Sequence, residues 1–300
     1  MGADLYTSFA EARKVYDAAN EALGFDLAKL CFDGPEEELL STINTQPALF
    51  TTSCAALAAF RARCDVKPFA VAGHSVGEYA ALYAAGSVGF ETGLKLVRRR
   101  AELMQQAAAI RPGAMAAIIG LDADTVRAVC EKARPAGIVS VANYNGPAQI
   151  VISGEVAAVE QASELANEAG ARKVMPLAVS GAFHSPLMVS AGDALYPELR
   201  EAAFKQTNVP VVVNVTAEYC KSGVDFGPYL TMQVSGSVRW EESMRLLLSD
   251  EVDTFIEFGC GDVLIGLLKR IEPETTRIAV QDRESLEQAV QQVCGDTENG

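Results

Sequence analysis

The segment Pro68-Phe69-Ala70-Val71-Ala72 is short and apolar, breaks at Gly73-His74-Ser75-Val76-Gly77, and runs at once into residues 77–85, a small-residue stretch of helical composition. Strand, sharp turn and helix are the setting in which a G-x-S-x-G sequence forms a nucleophile elbow. Glycine lets the backbone turn tightly, and the serine oxygen is lifted at the carboxyl end of the strand. The bare pentapeptide is a common pattern, and it is the strand before it and the small-residue helix after it that give it weight. In that setting it nominates Ser75 as nucleophile and the Val76 N–H, at the first turn of the new helix, as an oxyanion donor.

The rest of the chain supplies an α/β architecture around it. Residues 4–24 read as an amphipathic helix, and Pro47 is expected at the start of an Ala-rich helix reaching about Cys64, since proline suits a first helical position. Between residues 110 and 179 the texture changes to strand, helix, strand, strand, helix, strand, the order of a split ferredoxin-like unit. Those residues are expected to form a small inserted domain, with 1–109 and 180–300 as the main one. Further on, residues 209–215 and 254–259 read as buried strands that alternate with helices at 238–249 and 263–270, a pattern that implies a parallel sheet covered on both faces. The polar tail from Gly295 to Gly300 is expected to fray.

A serine hydroxyl needs a base, and the chain has 2 histidines. His74 adjoins the nucleophile, and neighbouring side chains at a sharp turn diverge, so a packing or hydrogen-bonding role is expected for it. His184, in Ser180-Gly181-Ala182-Phe183-His184-Ser185-Pro186, is therefore the candidate general base. In the helix over residues 91–109, Arg100 has Leu96, Val97, Leu103 and Met104 as its neighbours at three and four residues, all apolar. An arginine on a core-facing stripe is unfavourable unless an anion meets it. That anion is either an internal carboxylate or the free carboxylate of a diacid acyl group held by a bidentate pair.

Composition bears on partners. A formal net charge of −14 argues against nucleic acid and anionic membranes, whose phosphates need a positive surface. An acidic partner would have to dock on a local basic patch. Arg61, Arg63, Lys67, Lys95, Arg98 and Arg99 are candidates for one, ordinary solvated surface being the alternative. The 7 cysteines are scattered and never form C-x-x-C, so they are expected to be reduced thiols in a reducing compartment. No apolar run approaches a membrane span of about 18 to 20 residues, and cytoplasmic placement is expected, or an organelle after processing.

Taken together, these residues resemble the malonyl-CoA:acyl-carrier-protein transacylases, including the acyltransferase domains of fatty acid and polyketide synthases. The matching stretches are Asn44-Thr45-Gln46-Pro47-Ala48, Gly73-His74-Ser75-Val76-Gly77-Glu78-Tyr79, Arg100 with Met104-Gln105, Gly113-Ala114-Met115-Ala116-Ala117, residues 143–147, Gly181-Ala182-Phe183-His184-Ser185-Pro186 and residues 233–240. They run over nearly the whole chain in family order. The resemblance implies an α/β-hydrolase-like large domain with a parallel sheet and an inserted ferredoxin-like small domain. It implies malonyl-CoA and acyl carrier protein as substrate and partner, no cofactor or metal, and a monomer. By resemblance Ser75 is the acylated serine, His184 its base and Arg100 the clamp on the malonyl carboxylate. Gln233 matches the position whose backbone carbonyl orients the histidine, and Gln46 a glutamine lining the pocket. The small aliphatic Val76 and the Ala182-Phe183-His184 run match members that use malonyl rather than methylmalonyl units. Phe183 would fill the space of a branch, a discrimination of about 1 to 3 kcal/mol per methyl.

Two departures stand out. Family members carry an apolar strand and a Gly-Gln-Gly-Ser-Gln turn just before the Met1 to Tyr6 motif, and that turn supplies a second oxyanion N–H. A form of this chain carrying such a segment is expected to turn over about 10² to 10³-fold faster and to melt higher, a comparison of kcat and Tm that reads both gains at once. Cys260, in Gly259-Cys260-Gly261, stands where the family usually has proline. Two rivals remain at this level: a thioesterase, which would share Ser75 and His184, and a catalytically silent scaffold. Release of CoA with and without carrier protein separates the first, and a malonyl adduct in intact mass separates the second.

Overall fold

The computed structural model describes residues 1–179 and 181–295. Ser180 and the tail from residue 296 onward, where fraying is expected, lie outside the described residues. The chain opens with four helices, α1 (Ala3–Ser8), α2 (Ala10–Leu23), α3 (Leu27–Asp33) and α4 (Glu36–Leu40). The single helix expected over residues 4–24 is thus two, broken where Phe9 adopts extended backbone and buries its ring.

Helix α5 (Thr42–Arg61) also departs from expectation, because Pro47 sits inside it rather than at its start. A proline there has no N–H for the carbonyl four residues back, and an unserved buried carbonyl is unfavourable. That carbonyl belongs to Ile43, and Arg98 Nη1 donates to it at 3.0 Å. A side chain 55 residues away thereby replaces the missing bond and lets the helix begin earlier.

Strand β1 (Val71–Ala72) leads through the elbow into α6 (Gly77–Ala84), followed by the long α7 (Phe90–Ile110). Then come β2 (Ala114–Ile119), α8 (Ala123–Ala133), β3 (Val139–Gly146), β4 (Gln149–Gly154), α9 (Val156–Glu168) and β5 (Lys173–Pro176), in the expected element order. Their strands form one antiparallel sheet, ordered β3-β4-β2-β5. Two helices cover it with a core of their own, in which Ile118, Val126, Ile152 and Ala162 are fully buried. Alternation explains the packing: Ala116 and Ile118 point to this core, whereas Met115 and Ala117 point to a second cluster that holds Ala142 and Val151.

The chain returns through α10 (Val189–Glu201), β6 (Val211–Val212), β7 (Tyr219–Cys220), α11 (Gly223–Ser235), α12 (Trp240–Ser249), β8 (Thr254–Phe258), α13 (Val263–Ile271), β9 (Thr276–Val280) and α14 (Arg283–Cys294). The expected single parallel sheet is corrected here. β1 pairs in parallel with β6 and β8 with β9, but the two pairs belong to separate sheets, and β7 folds back antiparallel on β6. The reversal is local: Ala217 takes a left-handed φ of 56° and its N–H returns to Val213 O at 2.8 Å. An apolar cleft of about 410 Å³ separates the pairs, lined by Val71 and Ala72 on one side and Ile256 and Phe258 on the other. With one edge on that cleft, β8 is half-buried rather than the buried strand its composition suggests.

The cysteines require a second correction. Cys64, three residues beyond α5, and Cys294, the last residue of α14, form a disulfide with Cα atoms 6.0 Å apart, closing a loop over 230 residues. Of the free cysteines among the described residues, Cys31, Cys54, Cys130 and Cys220 are buried, while Cys260 is exposed. No helix among the described residues is long and apolar enough to cross a membrane.

Candidate active site

The elbow has the geometry its sequence calls for. Ser75 sits at φ 53°, left-handed backbone that a non-glycine residue adopts at a cost of about 1 to 3 kcal/mol and that surrounding contacts must hold. Gly73 is required by close approach, because a Cβ there would lie 2.0 Å from Gly77 O. Gly77 differs: a Cβ at that position meets nothing within 4 Å, so the second glycine of the motif is not demanded by space. Helix α6 starts directly after Val76, whose N–H meets no acceptor among the described residues and is free to serve an oxyanion.

His184 comes to this serine from 109 residues away, its Nε2 2.7 Å from Ser75 Oγ. It too has left-handed backbone, φ 57°. On its other side Nδ1 lies 2.8 Å from the Gln233 carbonyl oxygen and 3.2 Å from that of Gly236. A carbonyl can only accept, so Nδ1 carries the hydrogen and Nε2 is left as the acceptor for the serine proton. The imidazole is buried, and that burial, with the nearby Arg100 charge, pulls its pKa down to about 3. His184 is therefore neutral and able to take a proton.

His74, as expected, turns away. Its Nε2 lies 2.8 Å from Asn145 Oδ1, and its ring packs on Trp240 with centroids 5.5 Å apart. The elbow is thereby tied to the end of β3.

Arg100 is the largest fully buried side chain, 1% exposed. Its Nη1 donates to Gln46 Oε1 at 2.5 Å, and its Nη2 to Gln233 Oε1 at 3.0 Å and to Ser75 Oγ at 3.1 Å. Among the described residues no carboxylate forms an ion pair with it, and its Nε has no partner. The internal carboxylate that helical periodicity left open is not in contact with Arg100; the buried Glu78 acts on it only through space. A buried cation held only by neutral oxygens, beside a nucleophile, is a standing site for an anion. Arg98 and Arg99 differ in pairing with Glu102 and Glu198, and Arg63 and Lys95 with Glu11 and Glu91, so these members of the suspected basic patch are locally neutralised surface.

Phe183 is half-buried and packs beside Gly181, next to the base. Gln46 is buried and in addition donates to Met104 Sδ at 3.7 Å. Sequence reasoning placed Gln233 through its backbone and missed its side chain, whose Nε2 donates to Ser75 O at 2.9 Å and to Glu78 Oε2 at 2.8 Å. It also missed Glu78 and Asn214. One signal for Asn214 was present: it is the polar residue in the otherwise apolar run 211–215.

An α/β chain that sets a serine hydroxyl between a neutral imidazole and a buried guanidinium has the arrangement of groups that nucleophilic serine chemistry uses. Comparison with known proteins makes the family explicit. The chain belongs to the acyl transferase domain family, whose model matches residues 1–293. It is 44% identical over 300 residues to a malonyl CoA-acyl carrier protein transacylase of Bacillus subtilis, covering 100% of this chain and 94% of that protein. The enzyme of the same name from Escherichia coli is 38% identical over 291 residues, with 97% and 94% covered. Among solved structures, an acyl-carrier-protein S-malonyltransferase from Burkholderia pseudomallei superposes with a TM-score of 0.92 at 42% identity, covering 95% of this chain and 93% of that one. A malonyl-transacylase solved in complex with a type II polyketide synthase acyl-carrier protein gives 0.95 at 39% identity, with 97% and 94% covered.

Proposed function

We propose that this chain transfers a malonyl group from malonyl-CoA to the phosphopantetheine thiol of acyl carrier protein through an ester on Ser75. One observation carries the reading beyond generic serine chemistry: Arg100, buried and without a carboxylate partner among the described residues, reaches within 3.1 Å of the Ser75 hydroxyl. An acyl group that ends in a carboxylate, once joined to Ser75 Oγ, has this guanidinium beside it as a counter-charge.

In the first half-reaction Ser75 Oγ attacks the thioester carbonyl carbon while its proton passes to His184 Nε2. The Val76 N–H receives the oxyanion, the carbon–sulfur bond breaks, and the CoA sulfur leaves with the proton from His184. In the second, the carrier thiol gives its proton to His184, its sulfur attacks the ester carbonyl, and Ser75 Oγ leaves and is reprotonated. The Gln233 carbonyl holds the imidazole in the required tautomer, the work an aspartate does in a three-residue triad. Gln46 and Gln233 hold the two ends of the guanidinium, Phe183 limits the acyl chain to an unbranched unit, and no metal or cofactor enters either step. We further infer that residues 1–109 and 180–300 form an α/β-hydrolase-like domain, that residues 110–179 form a ferredoxin-like insert, and that the enzyme works in the cytoplasm as a monomer.

Arg100→Ala tests the acyl assignment. The malonyl carboxylate would lose a charge-assisted pair, whereas an acetyl group would lose nothing. Hydrogen bonds to charged groups contribute about 1.5 to 3 kcal/mol, so the malonyl-to-acetyl ratio of kcat/KM should fall roughly ten- to a hundred-fold or more. Arg100→Lys should recover only part, since a point charge cannot match the guanidinium fork. An unchanged ratio would make Arg100 a purely structural residue and remove the malonyl assignment.

A further inference from the structure

Two buried polar residues, Glu78 and Asn214, have no part in the mechanism above, yet every bond their side chains make leads to it. The Asn214 side chain grips the elbow from both sides of His74. Its Oδ1 accepts from Ser75 N at 2.7 Å, and its Nδ2 donates to Gly73 O at 2.7 Å. These partners fix the amide orientation, because the flipped amide would set a donor against an N–H and an acceptor against a carbonyl. Asn214 is itself anchored through its backbone: its N–H donates to Glu78 Oε2 at 3.1 Å, and its carbonyl accepts from Arg239 N at 2.9 Å. The same Glu78 oxygen accepts from Gln233 Nε2 at 2.8 Å. One carboxylate oxygen thus joins an arm that ends on the nucleophile to an arm that ends on the base.

We propose that Asn214 and Glu78 are positioning residues, Asn214 clamping the strained Ser75 backbone and Glu78 locking that clamp to the Gln233 arm that holds His184. The left-handed backbone at both Ser75 and His184 needs such over-determination, because either residue could relax to an ordinary conformation and carry its reactive atom away. Burial makes the arrangement costly in itself. Glu78 and Gln233 are 0% exposed and Asn214 1%, and Glu78 Oε1 has no partner among the described residues. A carboxylate placed only for stability would be better replaced by an apolar side chain. A further consequence concerns the oxyanion: with the Ser75 N–H bound to Asn214, the neighbouring Val76 N–H is the elbow donor left for the substrate.

This inference rests on the serine acyl-transfer reading above, and its test separates the two. In the 300-residue chain, Asn214→Leu and Glu78→Leu keep approximate volume while removing the bonds, and Glu78→Gln keeps an oxygen able to accept from both Asn214 and Gln233. Two rates are measured: the pre-steady-state acylation of Ser75 by malonyl-CoA across concentration, and the labelling of Ser75 by a fluorophosphonate, which reads the serine–histidine pairing without any acyl substrate. Misplacement by about 1 Å at a reacting centre lowers rates about 10²-fold. Both leucine variants should therefore lose about that factor in the maximal acylation rate and in labelling, with half-saturation changed less than about threefold, and Glu78→Gln should recover most of it. Should the leucine variants fail to fold, Asn214→Asp beside Glu78→Gln carries the test. The aspartate still accepts from Ser75 N but repels the Gly73 carbonyl, so it should be slow where the glutamine variant is fast. Folded variants with near-wild-type rates overturn the proposal, as does a loss that appears only in half-saturation or that Glu78→Gln fails to relieve. If malonyl-CoA leaves no adduct on the unaltered chain, the acyl assignment falls, and the fluorophosphonate rates still decide the positioning.

Discussion

Replacing Ser75 with alanine is expected to abolish the malonyl adduct on the chain and to lower transacylation by on the order of 10⁶-fold, the loss seen when a serine nucleophile is removed. The fold should survive, because each neighbour keeps another partner. Arg100 Nη2 retains Gln233 Oε1 at 3.0 Å, and His184 retains the Gln233 carbonyl at 2.8 Å. The left-handed backbone is no more strained for alanine than for serine, and the clamp from Asn214 reaches the backbone rather than the hydroxyl. Intact mass after incubation with malonyl-CoA reads the adduct, and thermal melting reads the fold. An adduct of wild-type yield on the alanine variant would show that another residue carries the acyl group.

His184→Ala should lower acylation and deacylation together, each by about 10² to 10⁴-fold, since one base serves both half-reactions. Stopped-flow measurement of the two steps separates them, and a variant slowed in only one would require a second base for the other. The pH profile adds an independent check. Burial and the Arg100 charge hold the His184 pKa near 3, below the ordinary 6.5. The protonated, inactive form therefore gathers only well into acid, and kcat/KM for acylation should show no acid limb near 6.5. Stability carries the matching sign. With a folded pKa below the unfolded one, the native state binds fewer protons between about 3 and 6.5, so His184 lowers stability as pH falls through that window. Glu78 acts in the opposite sense. Burial raises its pKa from 4.5 to about 7, so its contribution is full below 4.5 and lost as pH rises toward 7. An acid limb of kcat/KM centred near 6.5 that persists in the Glu78→Gln variant, which removes the other group titrating near that pH, would mean that His184 is solvated, contrary to the geometry.

Much of the site was legible in the residues because its parts are local or scarce. The elbow is a continuous strand–turn–helix segment in which the residue types themselves dictate the backbone path. With only 2 histidines and one of them adjoining the serine, the base followed by elimination. Arg100 stood out because helical periodicity sets it among apolar neighbours, where an unpaired cation is unfavourable. The six-element order of residues 110–179 was readable for a similar reason, each short strand and helix announcing its own period.

What the sequence could not decide lies wherever the energy comes from groups far apart in the chain. Helix α5 runs through Pro47 because Arg98 supplies the bond that proline cannot, and no local propensity contains that information. Cys64 and Cys294, separated by 230 residues, pair only because α14 ends beside α5. Gln233 was singled out by resemblance for its backbone carbonyl alone, yet folding places its side chain among Ser75, Glu78 and Arg100. The sequence by itself determined which groups are candidates for the chemistry, since the proposed nucleophile, base and cation are picked out by residue type and short-range pattern. Only the tertiary structure decided what holds them in register, because a buried hydrogen bond is specified jointly by two partners and by the packing that excludes water from both.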